Sequence, residues 1–410
     1  MHIRFDRSRQ FLIAAVIAVA VAPLLGALFR GGVPPLEFGP FPPNEAASPK
    51  PPFSPLYFAA GAIVAGAIVV FLLFPGLFGF HESGNRKRPP GGRLPWWFWV
   101  GAAVNLTSWY AHWFGDLAMA KYSFIPLWWG FIFAVDGIVY HRTGGRSMFA
   151  TETERFVVIG LVSIPAWGFF EFLNYYADEF WVYPNNQIFS PTGQALWYLA
   201  SFSVVLPAIF EWYTLLHTFD GLWNRWARGP SVVAPKGILG WVLVVGFVAL
   251  ALFGRFPFLL FPFFWVGPPL VLTAAVAILG FWTPFQPITK GNWSLVVVAG
   301  LASFANGIFW ELWNYGSKFF HGGVVTNPNY WFYDIPYVNR FHPFSEMPIL
   351  GYFGYLPYGF LAWVCWLIAA HVLGLDPSFD LTPGGADESV APGRVASPRA
   401  STRPAPLTSR

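Results

Sequence analysis

Long apolar runs, separated by short polar connections, cover almost the whole chain. A helix needs about 20 apolar residues to cross the hydrocarbon core of a bilayer. Runs of that kind predict ten spans, at 11–30, 56–80, 95–113, 123–141, 155–177, 195–218, 237–254, 259–283, 292–316 and 346–371. The first follows a basic start of Arg4, Arg7 and Arg9, as a signal peptide would. No small-x-small site follows it cleanly, so it reads as an uncleaved anchor. The expected fold class is an all-α polytopic membrane protein of about ten transmembrane helices.

One stretch inside these runs occurs twice. Trp167-Gly168-Phe169-Phe170-Glu171-Phe172-Leu173-Asn174-Tyr175 returns as Gly307-Ile308-Phe309-Trp310-Glu311-Leu312-Trp313-Asn314-Tyr315. Downstream, Phe180-Trp181-Val182-Tyr183-Pro184 returns as Trp331-Phe332-Tyr333-Asp334-Ile335-Pro336, and Leu206-Pro207 as Leu356-Pro357. Upstream, Trp129-Gly130 has a weaker echo in Trp265-Val266-Gly267. The period of roughly 140–150 residues matches spans three to six with spans seven to ten. Four spans per copy is an even number, so the copies share one orientation and an axis along the membrane normal. The expected organisation is an N-terminal two-helix hairpin (1–94) with a Pro-rich outer loop at 31–55, a first four-helix repeat (95–235) and a second (236–373). A disordered cytoplasmic tail (374–410) follows, rich in Pro, Ser, Ala and Arg.

Composition agrees with a membrane solvent. Hydrophobic residues make up 55% and charged residues 11%, against about 25% charged in soluble domains. Mean hydropathy is +0.49. Aromatics reach 20%, with 22 Trp. That is more than interfacial belts use, so many rings are expected to line the interior. The single cysteine, Cys365, leaves no intrachain disulfide and no cysteine zinc site. The net charge of +4 is spread along the loops and does not suggest nucleic-acid binding. With segments alternating from an inner N-terminus, eighteen Lys and Arg fall inside and six outside, the six being Arg30, Lys50, Lys121, Arg255, Lys318 and Arg340. That asymmetry predicts a multi-pass protein of the cell (inner) membrane with both termini cytoplasmic.

The polar residues left inside the spans are the candidate chemistry. Glu171 with Asn174, and Glu311 with Asn314, lie three apart and share a helix face. A charge within a bilayer is costly and needs a partner or a task. Both pairs fall toward the outer ends of their spans, ahead of aromatic outer loops at 178–194 and 317–345 that read as caps on a cavity. Glu346 re-enters at the outer end of the tenth span, His112 and Asp116 stand four apart at the outer end of the third, and His321 and His342 lie in the last outer loop. These groups are expected to converge on one outward-facing cavity. Trp167, Tyr175, Trp181, Tyr183, Trp310, Trp313, Tyr315, Trp331 and Tyr333 are the candidate substrate-contacting rings. Burial disfavours the charged form, so a glutamic acid there can keep its proton and act as a general acid. The asparagine would orient that proton, and ring faces would stabilise a cation. The simpler alternative has each Glu bonding its Asn or the opposite motif, fastening the halves together. A second, inner group holds Asp136 with His141 just beyond, and Glu211 one turn after Pro207. Pro207 cannot donate to the Ser203 carbonyl, which predicts a kink or a polar pocket. No acid follows the matching Pro357, so Glu211 belongs to one half only. The simpler alternative here is a pair between Asp136 or Glu211 and Arg142 or Arg146.

No metal and no cofactor are expected. His-x-x-x-His and Glu-x-x-His patterns are absent, and His112 with Asp116 supplies too few ligands and reads more simply as an interfacial hydrogen bond. Phosphate-binding glycine loops, a nucleophile elbow and a dinucleotide fingerprint are also absent. Trp129-Gly130 through Asp136, Trp310 through Tyr315, and Ser345-Glu346-Met347-Pro348 through Tyr355 resemble segments of multi-spanning bacterial proteins, a resemblance that implies no particular activity. Aspartate-rich prenyltransferase motifs and desaturase histidine boxes are missing. The function expected is a membrane enzyme acting on a lipid or isoprenoid by acid-initiated carbocation chemistry: cyclisation, rearrangement or hydration of a carotenoid or hopene-like triterpene. The partner is then a membrane lipid or isoprenoid substrate, with no nucleic acid. Alternatives are a proton-coupled secondary transporter and a non-catalytic membrane scaffold.

Overall fold

The computed structural model describes residues 6–30, 41–46, 49–84, 91–185 and 188–377. Arg4, much of the Pro-rich loop, the basic residues Arg86, Lys87 and Arg88, and the tail from 378 onward lie outside the described residues. Eleven longer helices carry the architecture: α1 (Arg7–Leu28), α2 (Pro55–Leu73), α3 (Trp96–Phe114), α4 (Phe124–Arg142), α5 (Thr153–Tyr176), α6 (Pro191–Phe202), α7 (Val205–His217), α8 (Lys236–Arg255), α9 (Pro262–Ile278), α10 (Ser294–Phe319) and α11 (Tyr355–Leu373). Two short strands, β1 (Trp181–Val182) and β2 (Phe332–Tyr333), complete the frame.

Helix stands in every window the hydropathy pattern marks. Among the described residues, eight helices are long and apolar enough to cross a membrane: α1, α2, α4, α5, α6 with α7 as one unit, α8, α10, and α11 with the 3-10 turn Ile349–Gly354 before it. The chain is a multi-pass helical protein of membrane type. α9 is apolar but shorter, and α3 is outside the eight because Asn105, Thr107, Ser108 and His112 dilute its apolar run. Serine–proline pairs start two of the spans. Ser54 accepts from the Tyr57 amide at 3.3 Å and Ser190 from the Gly193 amide at 3.3 Å, each with proline at the first helical position. α2 ends seven residues before the window does, because Phe74 precedes Pro75 and cannot stay helical.

The sixth window holds two helices. α6 and α7 part at Ser203 and Val204, four residues before Pro207, where the missing proline donor predicts a break. Ser163 of α5 spans the gap: its hydroxyl donates to Phe202 O at 2.5 Å and accepts from the Leu206 amide at 3.0 Å. Those backbone groups are buried and would otherwise be unsatisfied.

α10 is the central element, packed against α3, α7 and α11, while α5 packs on α6, α7 and α11. α1 lies against α8 and α9. Gly26 of α1 and Gly254 of α8 let those backbones touch, since a Cβ on either would run into the carbonyl of Ala251 or Pro23 opposite. Small residues do the same at the crossing of α3 and α4, where a Cβ on Gly101 would stand 2.8 Å from the Gly130 oxygen. α2 is set apart. Ala65 is its one buried residue, and the helix packs chiefly on the 3-10 turns Pro75–Phe78 and Ile349–Gly354.

Candidate functional site

Two loop strands meet over the ends of the motif helices. β1 and β2 pair antiparallel with Trp181 opposite Tyr333 and Val182 opposite Phe332, and the Asp334 amide extends the pairing to Phe180 O at 2.8 Å. The asparagine of each motif builds this cap. Asn174 Nδ2 donates to Trp181 O at 2.8 Å while its Oδ1 accepts from the Phe180 amide at 2.9 Å. Asn314 does the same with one residue, donating to Trp331 O at 2.8 Å and accepting from Trp331 N at 3.0 Å. Both ends of each carboxamide are therefore used on loop backbone. The first loop turns back directly after α5 in a Schellman arrangement: Glu179 N reaches Asn174 O at 3.0 Å and Asp178 N reaches Tyr175 O at 3.3 Å. Asp178 takes the left-handed conformation there, with φ 54°, and its carboxylate meets Arg30 at 2.6 Å.

That reversal brings the loop side chains onto the glutamates. Glu171 Oε1 accepts from Trp167 Nε1 at 2.9 Å, Tyr183 OH at 2.5 Å and Trp181 Nε1 at 3.2 Å, and its Oε2 accepts from the same Trp181 at 3.1 Å. Glu311 Oε1 accepts from Tyr333 OH at 2.7 Å and Tyr355 OH at 2.6 Å, with Trp331 Nε1 donating in turn to Tyr333 at 2.8 Å. Glu311 Oε2 has no partner. Both acids are 0% exposed. Burial, reinforced by the adjacent carboxylates, pushes the Tyr183 and Tyr333 phenols well above their ordinary values, so both remain donors.

The donors of both glutamates line one cavity of about 40 Å³: Trp167, Trp181 and Tyr183 from the first motif and its loop, Tyr333 and Tyr355 on the Glu311 side. The carboxyl groups stand one layer behind this wall. Trp310 and Trp331 also face the cavity, so six of the nine candidate rings are there. Trp167 and Trp310 meet with ring centres 5.6 Å apart, a side-chain contact between the two motif helices. The other three rings lie elsewhere. Tyr175 stacks on Phe41, Trp313 is packed among Trp109, Trp128 and Phe309, and Tyr315 stacks on Phe319. At about 100° per residue, Tyr315 stands about 140° around the helix from Trp310.

The remaining candidates are dispersed. Glu346 accepts from Lys318 at 3.2 Å and from Tyr330 OH, in the loop region at the capped end. His112 bonds Ser123 Oγ at 2.6 Å, whereas Asp116 caps the single helical turn Leu117–Ala120 through the Met119 amide at 3.0 Å. The expected His112–Asp116 bond is replaced by these two local contacts. His321 reaches the carbonyls of Ser317 and Gly115, and His342 that of Glu346. The inner acids do come together: Asp136 and Glu211, both 0% exposed, act on one another electrostatically. Asp136 also accepts from Trp97 Nε1 at 2.8 Å, Ser147 Oγ at 2.8 Å and the Phe149 amide at 2.9 Å. Glu211 Oε2 accepts from Thr214 Oγ1 at 3.4 Å, and its Oε1 has no hydrogen-bond partner among the described residues. Arg142 reaches Thr218 at 2.6 Å and lies over the Phe219 ring.

Several cavity residues escape a reading based on the repeat alone. Asn306 and Ser303 line the cavity about one and two turns before Glu311, and among the described residues neither Ser303 Oγ nor Asn306 Oδ1 has a partner. The spacing Ser303, Asn306, Trp310 is one helical stripe, and that signal was available. Tyr355 was harder to find, because the residue matching it in the first half is Val205. Comparison of the chain with known protein families, with curated proteins and with solved structures gives no match in any of the three.

Proposed function

We propose that the chain is a ten-span membrane enzyme that protonates an apolar lipid, of isoprenoid type, in the aromatic cavity between two copies of a four-helix unit. The carrying observation is that the donors of Glu171 and Glu311 line one cavity while, of these two acids, Glu311 keeps a carboxyl oxygen without a partner among the described residues. Glu171 is solvated on both oxygens and serves as a fixed support. Glu311, with Oε1 held by two phenols, carries its proton on Oε2. The proton would reach a carbon–carbon double bond by way of Tyr333 or Tyr355 on the cavity wall, the phenol giving its own proton to the substrate and taking the one from Glu311. The cation so formed lies next to Trp and Tyr faces. Ring closure, rearrangement or capture of water then ends the reaction.

The duplication is supported by the strand register. Trp181, Val182 and Tyr183 correspond to Trp331, Phe332 and Tyr333, and pairing Trp181 with Tyr333 and Val182 with Phe332 is what a local two-fold axis between Val182 and Phe332 requires. The proposed orientation, with the capped end outside and both termini in the cytoplasm, is supported by the excess of Lys and Arg on the other side. The test is lipid analysis of a strain lacking the gene, complemented with the wild type or Glu311→Gln. A compound restored by the wild type and not by the variant is expected, and extracts identical with and without the gene would overturn the proposal.

A second reading, proton-coupled transport, is favoured by the buried Asp136–Glu211 pair at the opposite end of α5 from the capped site. Proton-driven uptake into vesicles, lost in both Glu311→Gln and Glu211→Gln, would select it.

A further inference from the structure

The small cavity shares a wall with a larger space. Trp181, Trp265, Tyr333, Met347, Gly351 and Gly354 also line a second space of about 590 Å³ that runs under α2. Ligand pockets commonly measure about 300–1,000 Å³. This one is walled by apolar side chains such as Val64 and Ile68 of α2 and Val296 and Val297 of α10. Among the described residues no lysine or arginine lines either space. At the inner end, three deeply buried polar atoms lack partners: Ser303 Oγ and Asn306 Oδ1 on the wall, and Glu311 Oε2 behind it. Unpaired buried polar groups cost about 1–3 kcal/mol each, so the site is built for a polar group that arrives with its ligand.

We infer that the groove takes the chain of an uncharged long-chain lipid alcohol from the bilayer, and that the hydroxyl enters the cavity between Ser303 and Asn306. A hydroxyl is both donor and acceptor. It can donate to Asn306 Oδ1 and accept from Ser303, which lie three apart on one helix face. A phosphate head would meet no cation among the described lining residues. A carboxylate would enter a buried site beside Glu311 without a counter-ion. The cavity of about 40 Å³ holds a few water-sized groups at roughly 10–15 Å³ each, which suits a hydroxyl and its carbon. The loosely seated α2 is the side from which a lipid would come. This inference deepens the enzymatic reading above and rests on the cavity being a lipid site.

The test uses the full chain in lipid nanodiscs with a hexadecanol probe that bears a mid-chain diazirine and a terminal alkyne. Its methyl ether and the corresponding hexadecanoic acid are the comparison probes. Photolabelling of α2 and α10 peptides is expected, several-fold stronger for the alcohol than for either comparison probe. Unlabelled hexadecanol should compete better than its methyl ether on the wild-type protein, a measurement that needs no variant. Val296→Trp should suppress labelling by all three probes, and Asn306→Leu should make alcohol and ether equal. Labelling confined to other helices, or equal competition by alcohol and ether, would overturn the inference. If the alcohol labels the groove but Glu311→Gln leaves cellular lipids unchanged, the enzymatic reading falls and the binding site stands. If Glu311→Gln changes the lipids and the alcohol does not label, the reverse holds.

Discussion

Gly307 leaves open the place in which the Tyr355 ring lies: a Cβ on Gly307 would stand 2.5 Å from Tyr355 Cδ2, and the phenol of that ring donates to Glu311 at 2.6 Å. In the first motif the residue at this position, four before the glutamate, is Trp167, which donates to Glu171 itself at 2.9 Å. The two carboxyl groups thus obtain equivalent donors by different routes, one from its own helix and one from α11. Gly307→Ala should push the ring aside and destabilise by about 1–3 kcal/mol, as overpacking does. Tyr355→Phe should cost a similar amount through the lost bond to Glu311. Since both act on one contact, the double variant should lose clearly less than the two singles combined. Thermal melts of the four proteins in detergent would settle this, and strict additivity would refute the link.

Replacing each glutamate by glutamine should separate support from chemistry. Every oxygen of Glu171 accepts from Trp or Tyr, so a carboxamide NH₂ must face a donor with a donor. Glu171→Gln should lower stability by about 2–4 kcal/mol, the range of a buried polar network left half-satisfied. Glu311→Gln can keep its oxygen on Tyr333 and Tyr355 and place the NH₂ where Oε2 has no partner. It should melt within about 1 kcal/mol of the wild type yet lose any proton-donating activity. Equal destabilisation by both substitutions would contradict the asymmetry.

The spans were legible because the bilayer-length apolar run is a strong signal, and Glu171 and Glu311 stood out because acids in such runs are rare. Pro207 likewise marked the break between α6 and α7 through its missing donor. Long-range partners left less trace. The sequence places Asn174 beside Glu171 on one helix face, but whether the carboxamide turns to the carboxyl or to a returning loop depends on the reversal at Asp178. Nothing local distinguishes Trp313, packed in the core, from Trp310 on the cavity wall. Tyr355 could be found only from three dimensions, since it fills space that a glycine in another helix vacates. The ends of α2 and α11 moved because Pro75 and Pro348 act locally where a hydropathy window averages.

The asparagines should behave as loop anchors. Asn174→Ala leaves the Phe180 amide and the Trp181 carbonyl without their partner, and Asn314→Ala does the same to both groups of Trp331. Each should cost about 1–3 kcal/mol. Hydrogen exchange by mass spectrometry should show protection lost over 178–185 in the first variant and over 329–334 in the second. Because β1 and β2 pair with each other, each variant should also loosen the opposite strand to a smaller extent. Unchanged exchange in both loops would remove the asparagines from this role.

The inner acids make the sharpest contrast between similar substitutions. Asp136 accepts from Trp97, Ser147 and the Phe149 amide, so these three partners are all donors. Asp136→Asn inserts an NH₂ among them and should destabilise by about 3–5 kcal/mol, the cost of breaking a buried ionic arrangement from one side. With Asp136 held as the anion by its donors, the proton is expected on Glu211, and Glu211→Gln would put a donating N–H where that O–H faces Asp136. It should cost less than about 1 kcal/mol, whereas Glu211→Leu, which leaves the Asp136 anion short of a donor, should resemble Asp136→Asn. Melting curves of the three variants give the ranking directly. If Glu211→Gln proves as damaging as Glu211→Leu, then Glu211 is the acceptor of the pair and the proton belongs to Asp136.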